Sequence, residues 1–298
     1  MKSLKGIFVP AVTPFNSDGE MMIDQLRYNI SSWSKTNITG IMVLGSNGEM
    51  RSLSDAEALR VIETAIETMP EHMTLIVGVG RESLYSTVEF IRQLDSVIDR
   101  VDYLSVLTPN YFPKLMTDDA LYAYYTKIAD MAPKPVLLYT APSYANQVVI
   151  SPELLARLAD HPNIAGIKDT SSNMMEKYMD AAGGRDDFQV MAGSVSNLIT
   201  CLERGGPGGV VSAANYFPAE CCEITEAFFA GDVEKAKEVQ ARMKLITSKT
   251  AGSYGVAGVK AVMGLMGYKP GVPRLPILPV SEDVCKQMEA VIREAGLI

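Results

Sequence analysis

The sequence predicts an α/β fold, a (β/α)8 TIM barrel with a C-terminal helical extension. Three observations carry this. First, eight short apolar runs begin near Gly6, Gly40, Thr74, Tyr103, Pro135, Ile164, Phe188 and Gly209. They are continuous rather than alternating, as strands of a parallel sheet covered on both faces read. Second, helical patterns separate them nearly throughout, the alternation expected of a barrel. Third, the turn after the first run reads Val9-Pro10-Ala11-Val12-Thr13-Pro14-Phe15. An open doubly wound sheet would carry a glycine-rich phosphate turn there, and this segment cannot cradle a pyrophosphate.

The helices have legible starts. Ser54-Asp55-Ala56-Glu57 reads as a capping box, and Ser151-Pro152-Glu153 places a cap residue before a proline at the first helical position. Asn173 followed by Glu176 reads as a weaker start. Asn215 to Ala230 reads as an apolar helix stopped by Gly231. Beyond it, residues 232–298 carry helical patterns near 232–249, 255–267 and 281–295. The expected organisation is a catalytic barrel over 1–231 and an extension over 232–298, packed on the barrel or on a neighbouring subunit.

Composition narrows the function. The net charge is −8, which gives no basic footprint for nucleic acid and argues against a peripheral membrane role. The apolar runs are far shorter than a membrane span, and the N-terminus leads straight into a strand rather than a signal peptide. Cys201, Cys221, Cys222 and Cys285 lack metal-ligand spacing and read as reduced, packed thiols of a cytoplasmic protein. Only His72 and His161 are present, both in connections between elements. A histidine metal centre or a Ser-His-Asp triad is not expected, and neither is a metal or a dissociable cofactor.

Lys168 ends the apolar run Ile164-Ala165-Gly166-Ile167. A strand buried on both faces ends in a dry place, where desolvation disfavours the ammonium and leaves an amine able to attack a carbonyl. Active sites of such barrels gather at the C-terminal strand ends. Those ends here also hold Gly45-Ser46-Asn47-Gly48-Glu49, Thr108-Pro109-Asn110-Tyr111, Tyr139-Thr140-Ala141-Pro142, Asp169-Thr170 and Gly193-Ser194. Gly45 to Gly48 can turn backbone N–H groups and a hydroxyl toward an anion. A lysine, two tyrosines and an anion nest are what a Schiff-base enzyme acting on a 2-oxo acid requires. Tyr103, Tyr122, Tyr124 and Tyr125 fall within strand or helix and read as packing residues. Asp169 reads as a cap of the next helix, Glu49 as an anchor of its loop, and the rival lysine Lys260 as a surface or interdomain contact.

These residues resemble the dihydrodipicolinate synthase/N-acetylneuraminate lyase family of class I aldolases, essentially end to end. The marks are Gly6 to Phe15, Gly45-Ser46-Asn47-Gly48-Glu49, Tyr139 with Pro142, and Gly166-Ile167-Lys168-Asp169. Within that family, residues 125–130, 187–194 and 255–260 are most similar to 4-hydroxy-2-oxoglutarate aldolases. The resemblance implies Lys168 as the Schiff-base lysine and Tyr139 as the proton-relay phenol. Ser46 and Asn47 would bind the pyruvate carboxylate. Tyr111 would match a tyrosine that reaches a neighbouring subunit's site, which implies a homo-oligomer, a dimer or a dimer-of-dimers tetramer. Lys168, Tyr139, Ser46 and Tyr111 are thus the expected catalytic set. Ser46, Asn47, Gly48, Tyr144, Thr170, Gly193 and Val210 are the expected substrate contacts. Where the synthases carry an arginine for the second substrate's carboxylate, this chain has Tyr144, which cannot make a bidentate contact. The family's glycine in the same loop is Asn146, which tolerates left-handed geometry.

The expected activity is reversible aldol cleavage of a 4-hydroxy-2-oxo acid to pyruvate and an aldehyde. The alternatives are dihydrodipicolinate synthesis from pyruvate and aspartate semialdehyde, dehydration of a sugar-derived 2-oxo acid, and a barrel that binds a 2-oxo acid without turnover.

Overall fold

The computed structural model describes residues 2–298. Eight strands follow one another round a closed barrel in chain order. They are β1 (Gly6–Pro10), β2 (Gly40–Val43), β3 (Thr74–Gly78), β4 (Tyr103–Leu107), β5 (Val136–Thr140), β6 (Ile164–Asp169), β7 (Gln189–Ala192) and β8 (Gly208–Val210). Every expected strand is present, and the starts of β5, β7 and β8 differ from expectation by one residue. The helices are α1 (Ile23–Trp33), α2 (Asp55–Thr68), α3 (Leu84–Arg92), α4 (Asp118–Met131), α5 (Pro152–Ala159), α6 (Met175–Ala182), α7 (Leu198–Glu203), α8 (Pro218–Phe229), α9 (Val233–Lys249), α10 (Gly255–Leu265) and α11 (Glu282–Glu294).

Local chemistry explains the boundaries. Ser54 and Glu57 exchange side chain and backbone bonds in a complete capping box on α2. The Ser151 hydroxyl accepts the Leu154 amide at the start of α5, with Pro152 at the first helical position. Two expectations need correction. Asn173 does not cap α6, because the Met174 amide is instead held by the Ser171 hydroxyl at 3.2 Å. Asn215 does not open α8, because its side chain is drawn inward to the Val12 amide and the Pro10 carbonyl, and the helix begins at Pro218.

By contacts the chain forms two compact units. One holds the residues up to Gly6 and Thr74–Val210, and so carries β3 to β8. Its strands are almost wholly buried, with Val106, Leu138 and Ile167 closed to solvent. The other holds Ile7–Met73 and Val211–Ile298, and so joins β2, α1 and α2 with α8 to α11. Its core includes Trp33, whose indole N–H donates to the Asn215 carbonyl at 3.0 Å.

One irregularity positions the chemistry. Val136 pairs with Ile164, but Leu137 pairs with Gly166, so Ala165 is an extra residue in β6. This bulge brings Tyr139 opposite Lys168. Without it Lys168 would face Thr140, and a one-residue slip moves a side chain to the other face of a sheet. Gly166 makes the bulge possible: φ is +158°, and a Cβ there would sit 2.1 Å from the Gln189 carbonyl oxygen. Substitution Gly166→Ala is expected to destabilise the fold by about 3 kcal/mol, since rigid backbone is the obstacle. Urea unfolding with an unchanged midpoint would contradict this account of β6.

Candidate active site

Lys168 is 4% exposed, and burial lowers its pKa to about 7 from the ordinary 10.5. Burial thus favours the free amine over the ammonium. Its Nζ lies 4.2 Å from the centroid of the Tyr139 ring. The two residues are register partners on β5 and β6, so their side chains share one face of the sheet. The next pair, Thr140 and Asp169, points to the other face.

The strand ends around Lys168 are tied together. Both the amide and the hydroxyl of Thr170 donate to the Thr140 carbonyl, at 3.1 and 2.9 Å. The Gly193 amide donates to the Asp169 carbonyl at 2.6 Å, and a Cβ at Gly193 would meet Thr170 Cγ2 at 2.2 Å. Thr170 and Gly193 thus fix the edges of β5, β6 and β7. Val210 ends β8 and is buried. After β5 the chain turns through Pro142–Tyr144, then through Asn146 and Gln147 in the left-handed region at φ +51° and +63°. Asn146 therefore adopts the geometry expected for a glycine position. Tyr144 is largely exposed, and partial desolvation of its phenol together with the Tyr139 phenol raises its pKa. After β4, Glu82 accepts the Asn110 and Tyr111 amides at 2.8 and 2.9 Å, leaving the Tyr111 ring 74% exposed against Phe112.

The Gly45–Glu49 turn belongs to the other unit. Leu44 and Glu49 bracket it in left-handed conformations, at φ +58° and +51°. Such backbone is uncommon for residues with a Cβ and is concentrated at functional sites. Gly48 is closely packed: a Cβ would lie 3.1 Å from the Ala11 carbonyl. Its own carbonyl accepts the Thr13 hydroxyl at 2.8 Å, and the Asn47 amide group donates to the Ser212 hydroxyl at 2.8 Å. Of the two expectations for Lys260, a surface contact is wrong, and Lys260 instead joins the 232–298 segment to Glu49 and Thr13. It is 2% exposed, with Nζ 2.6 Å from the Glu49 carboxylate. The apolar stretch Val256 to Val262 buries this part of α10, and its lysine with it. Burial lowers the Lys260 pKa, and Glu49 opposes that shift.

The sequence pattern of the dihydrodipicolinate synthetase family matches residues 3–295. The chain belongs to that family. Among its relatives, a probable mitochondrial 4-hydroxy-2-oxoglutarate aldolase of Emericella nidulans is 32% identical over 241 residues, 79% of this chain and 77% of the relative. A 4-hydroxy-tetrahydrodipicolinate synthase of Methanospirillum hungatei is 32% identical over 238 residues, 79% and 80% of the two chains. Among solved structures, a chloride-inhibited dihydrodipicolinate synthase of Acinetobacter baumannii in complex with pyruvate superposes with a TM-score of 0.91. It is 26% identical, with 99% of this chain and 100% of that one covered. Membership makes this dihydrodipicolinate synthetase family chain a class I, lysine Schiff-base-forming lyase. Among the described residues no helix is long and apolar enough to cross a membrane, and no group of three or more His, Cys, Asp or Glu side chains is placed to hold a metal.

Two features of this family member escape a reading of the sequence by residue type. One is the bulge, whose only trace is the glycine inside the β6 run. The other is Asp169. Its Oδ1 accepts the Ser171 amide at 2.8 Å, while the buried Oδ2 has no partner. It faces the layer outside the barrel, close to Tyr178 and Cys201. Burial raises its pKa to about 6 from 3.8. Between about pH 4 and pH 6 the folded chain keeps a proton that the unfolded chain has released, so stability falls as pH rises through that window. Above it the loss is on the order of 3 kcal/mol. Asp169→Asn keeps the Ser171 contact and removes the charge. It is expected to flatten stability over that interval and to raise the melting temperature at pH 8 relative to the parent. Equal pH slopes for the two proteins would show that Asp169 is not the titrating group.

Proposed function

We propose that the chain catalyses reversible aldol cleavage of a 4-hydroxy-2-oxo acid, releasing pyruvate and an aldehyde. The observation that carries this reading is the buried Lys168 amine, with its pKa near 7, against the ring of Tyr139. An amine that is substantially deprotonated at neutral pH is a competent nucleophile, and a phenol beside it can carry protons in both directions.

In this reading Lys168 Nζ attacks the 2-oxo carbon, and loss of water gives a protonated imine. The substrate's 4-hydroxyl gives up its proton and the C3–C4 bond breaks, releasing the aldehyde. The bonding electrons pass into the iminium and form an enamine. A proton added at C3 and water added at the imine carbon then free pyruvate and restore the amine. Tyr139 relays the protons. Ser46, Asn47 and Gly48 hold the carboxylate, and Tyr144, Thr170, Gly193 and Val210 shape the space for the rest of the substrate. Tyr144 supports an aldehyde half recognised without a bidentate carboxylate contact, which favours cleavage over dihydrodipicolinate synthesis. The same reading places the protein in the cytoplasm as a homo-oligomer, a dimer or a dimer of dimers, with the exposed Tyr111 and Phe112 rings available to a second copy.

Reduction with borohydride in the presence of pyruvate is expected to add mass to a peptide containing Lys168. Lys168→Ala should give no adduct, and an unlabelled wild-type chain would end the proposal. A non-catalytic binder would keep pyruvate affinity in that variant without ever trapping it. Trapping in the wild type should rise with pH through about 7, because protonation removes the nucleophile. Tyr139→Phe is expected to lower kcat about a hundredfold or more. In a panel of hydroxy-oxo acids, pyruvate should be released from at least one. Faster consumption of aspartate semialdehyde than of any of them would make the chain a synthase instead.

A further inference from the structure

The buried Lys260–Glu49 pair lies on the strand-end turn rather than under an arbitrary surface. The ammonium of Lys260 meets three oxygens: Glu49 Oε1 at 2.6 Å, the Thr13 carbonyl at 2.8 Å and the Val272 carbonyl at 2.8 Å. Two hydrogen bonds to carbonyls and a close ion pair with a carboxylate hold this nitrogen as a cation, which has no lone pair to offer a carbonyl. Two of the three contacts lead into the turn. Glu49 is the residue directly after Gly48, and Thr13 donates its hydroxyl to the Gly48 carbonyl. The other Glu49 oxygen accepts the Arg274 amide at 2.8 Å. Arg274 is itself fixed, with its guanidinium on the Glu57 carboxylate at the start of α2, the Gly19 carbonyl and the Ser52 carbonyl. Lys260 and Arg274 also lie against the Phe15 ring, 4.7 and 4.3 Å from its centroid.

The conformation of Glu49 is one it would not adopt freely. A left-handed φ of +51° is unfavourable for a residue with a Cβ unless its surroundings impose it. The surroundings here are a carboxylate gripped at one oxygen by Lys260 and at the other by the backbone of Arg274.

We infer that Lys260, acting through Glu49 and Thr13, is a positioning residue that sets the shape of the Ser46–Gly48 turn and thereby the affinity for the 2-oxo acid carboxylate. This rests on the reading of that turn as the carboxylate site. Lys260 touches no reacting atom. Its removal should weaken binding of pyruvate while leaving the chemistry at Lys168 intact once pyruvate is bound.

The test measures borohydride trapping of pyruvate at Lys168 as a function of pyruvate concentration, in wild type, Lys260→Met, Glu49→Gln and the double variant. Thermal melts and circular dichroism of each protein accompany it. Removing one partner leaves the other charge buried and alone, so the single variants should melt lower. The double variant, with a neutral pair, should recover stability and supplies a folded protein if either single variant does not fold. The expected result is a half-saturating pyruvate concentration raised about tenfold or more, a loss of about 1.4 kcal/mol in binding. The trapping rate at saturating pyruvate should stay within about twofold of wild type. That elevation should persist in the double variant although its stability returns, because a neutral pair does not impose the left-handed Glu49 geometry. Lys260→Arg should recover half-saturation only in part, since a planar guanidinium cannot meet the same three oxygens. A double variant with both wild-type stability and wild-type half-saturation would reduce the pair to a structural contact and overturn the inference. So would a defect confined to the rate at saturation. A wild-type chain that traps no pyruvate refutes the Lys168 reading and takes this one with it. Normal wild-type trapping with unaltered variants refutes this one alone.

Discussion

The structure depends on keeping one primary amine out of water. Holding Lys168 as an ammonium at its buried position costs on the order of 5 kcal/mol relative to water, judged from the fall of its pKa from 10.5 to about 7. That cost is borne by a fold whose strands are covered on both faces, so β6 pairs with β5 and β7 while the lysine side chain is deprived of solvent. A surface lysine of the same composition would remain charged and inert toward a ketone. The same burial sets the limits on everything near it. Gly193 can carry no side chain, and Thr170 spends its hydroxyl on the wall rather than on solvent.

Two lysines, Lys168 and Lys260, are buried, and only the first is proposed as a nucleophile. Burial pushes both pKa values down. At Lys260 a carboxylate opposes the shift and three oxygens surround the nitrogen. At Lys168 burial is the cause of the shift, and the Tyr139 ring lies against the nitrogen. Lys260 is thereby a structural cation, whereas Lys168 is the amine proposed as the reagent. The difference lies in the partners each finds, and neither the residue type nor the degree of burial distinguishes them.

The wall between Lys168 and the helices is also asymmetric. Alternation along β6 sends Lys168 to one face and Asp169 to the other, where a carboxyl with an unpartnered oxygen lies near Tyr178 and Cys201. In that apolar layer the carboxyl resists ionisation, as the amine resists protonation on the opposite face. Adjacent residues of opposite formal charge therefore do not neutralise each other; each is brought toward neutrality by its own dry surroundings.

Much of this was determined by the sequence itself. Continuous apolar runs separated by capped helical patterns require a parallel sheet covered on both sides, because only that arrangement buries both faces of each strand. A lysine closing such a run, with Tyr139 at the end of the preceding one, already points to the proposed chemistry, since burial and side-chain type are local properties of the pattern. What tertiary structure decided is register and partnership. The extra residue at Ala165 brings Tyr139 and Lys168 level, and it depends on the backbone of β7 approaching Gly166. The Glu49–Lys260 contact joins positions far apart in the chain, and no local pattern foretells it. Alternation and burial are written residue by residue. Which groups meet across neighbouring strands, or across two hundred residues of chain, is settled only when the backbone closes on itself.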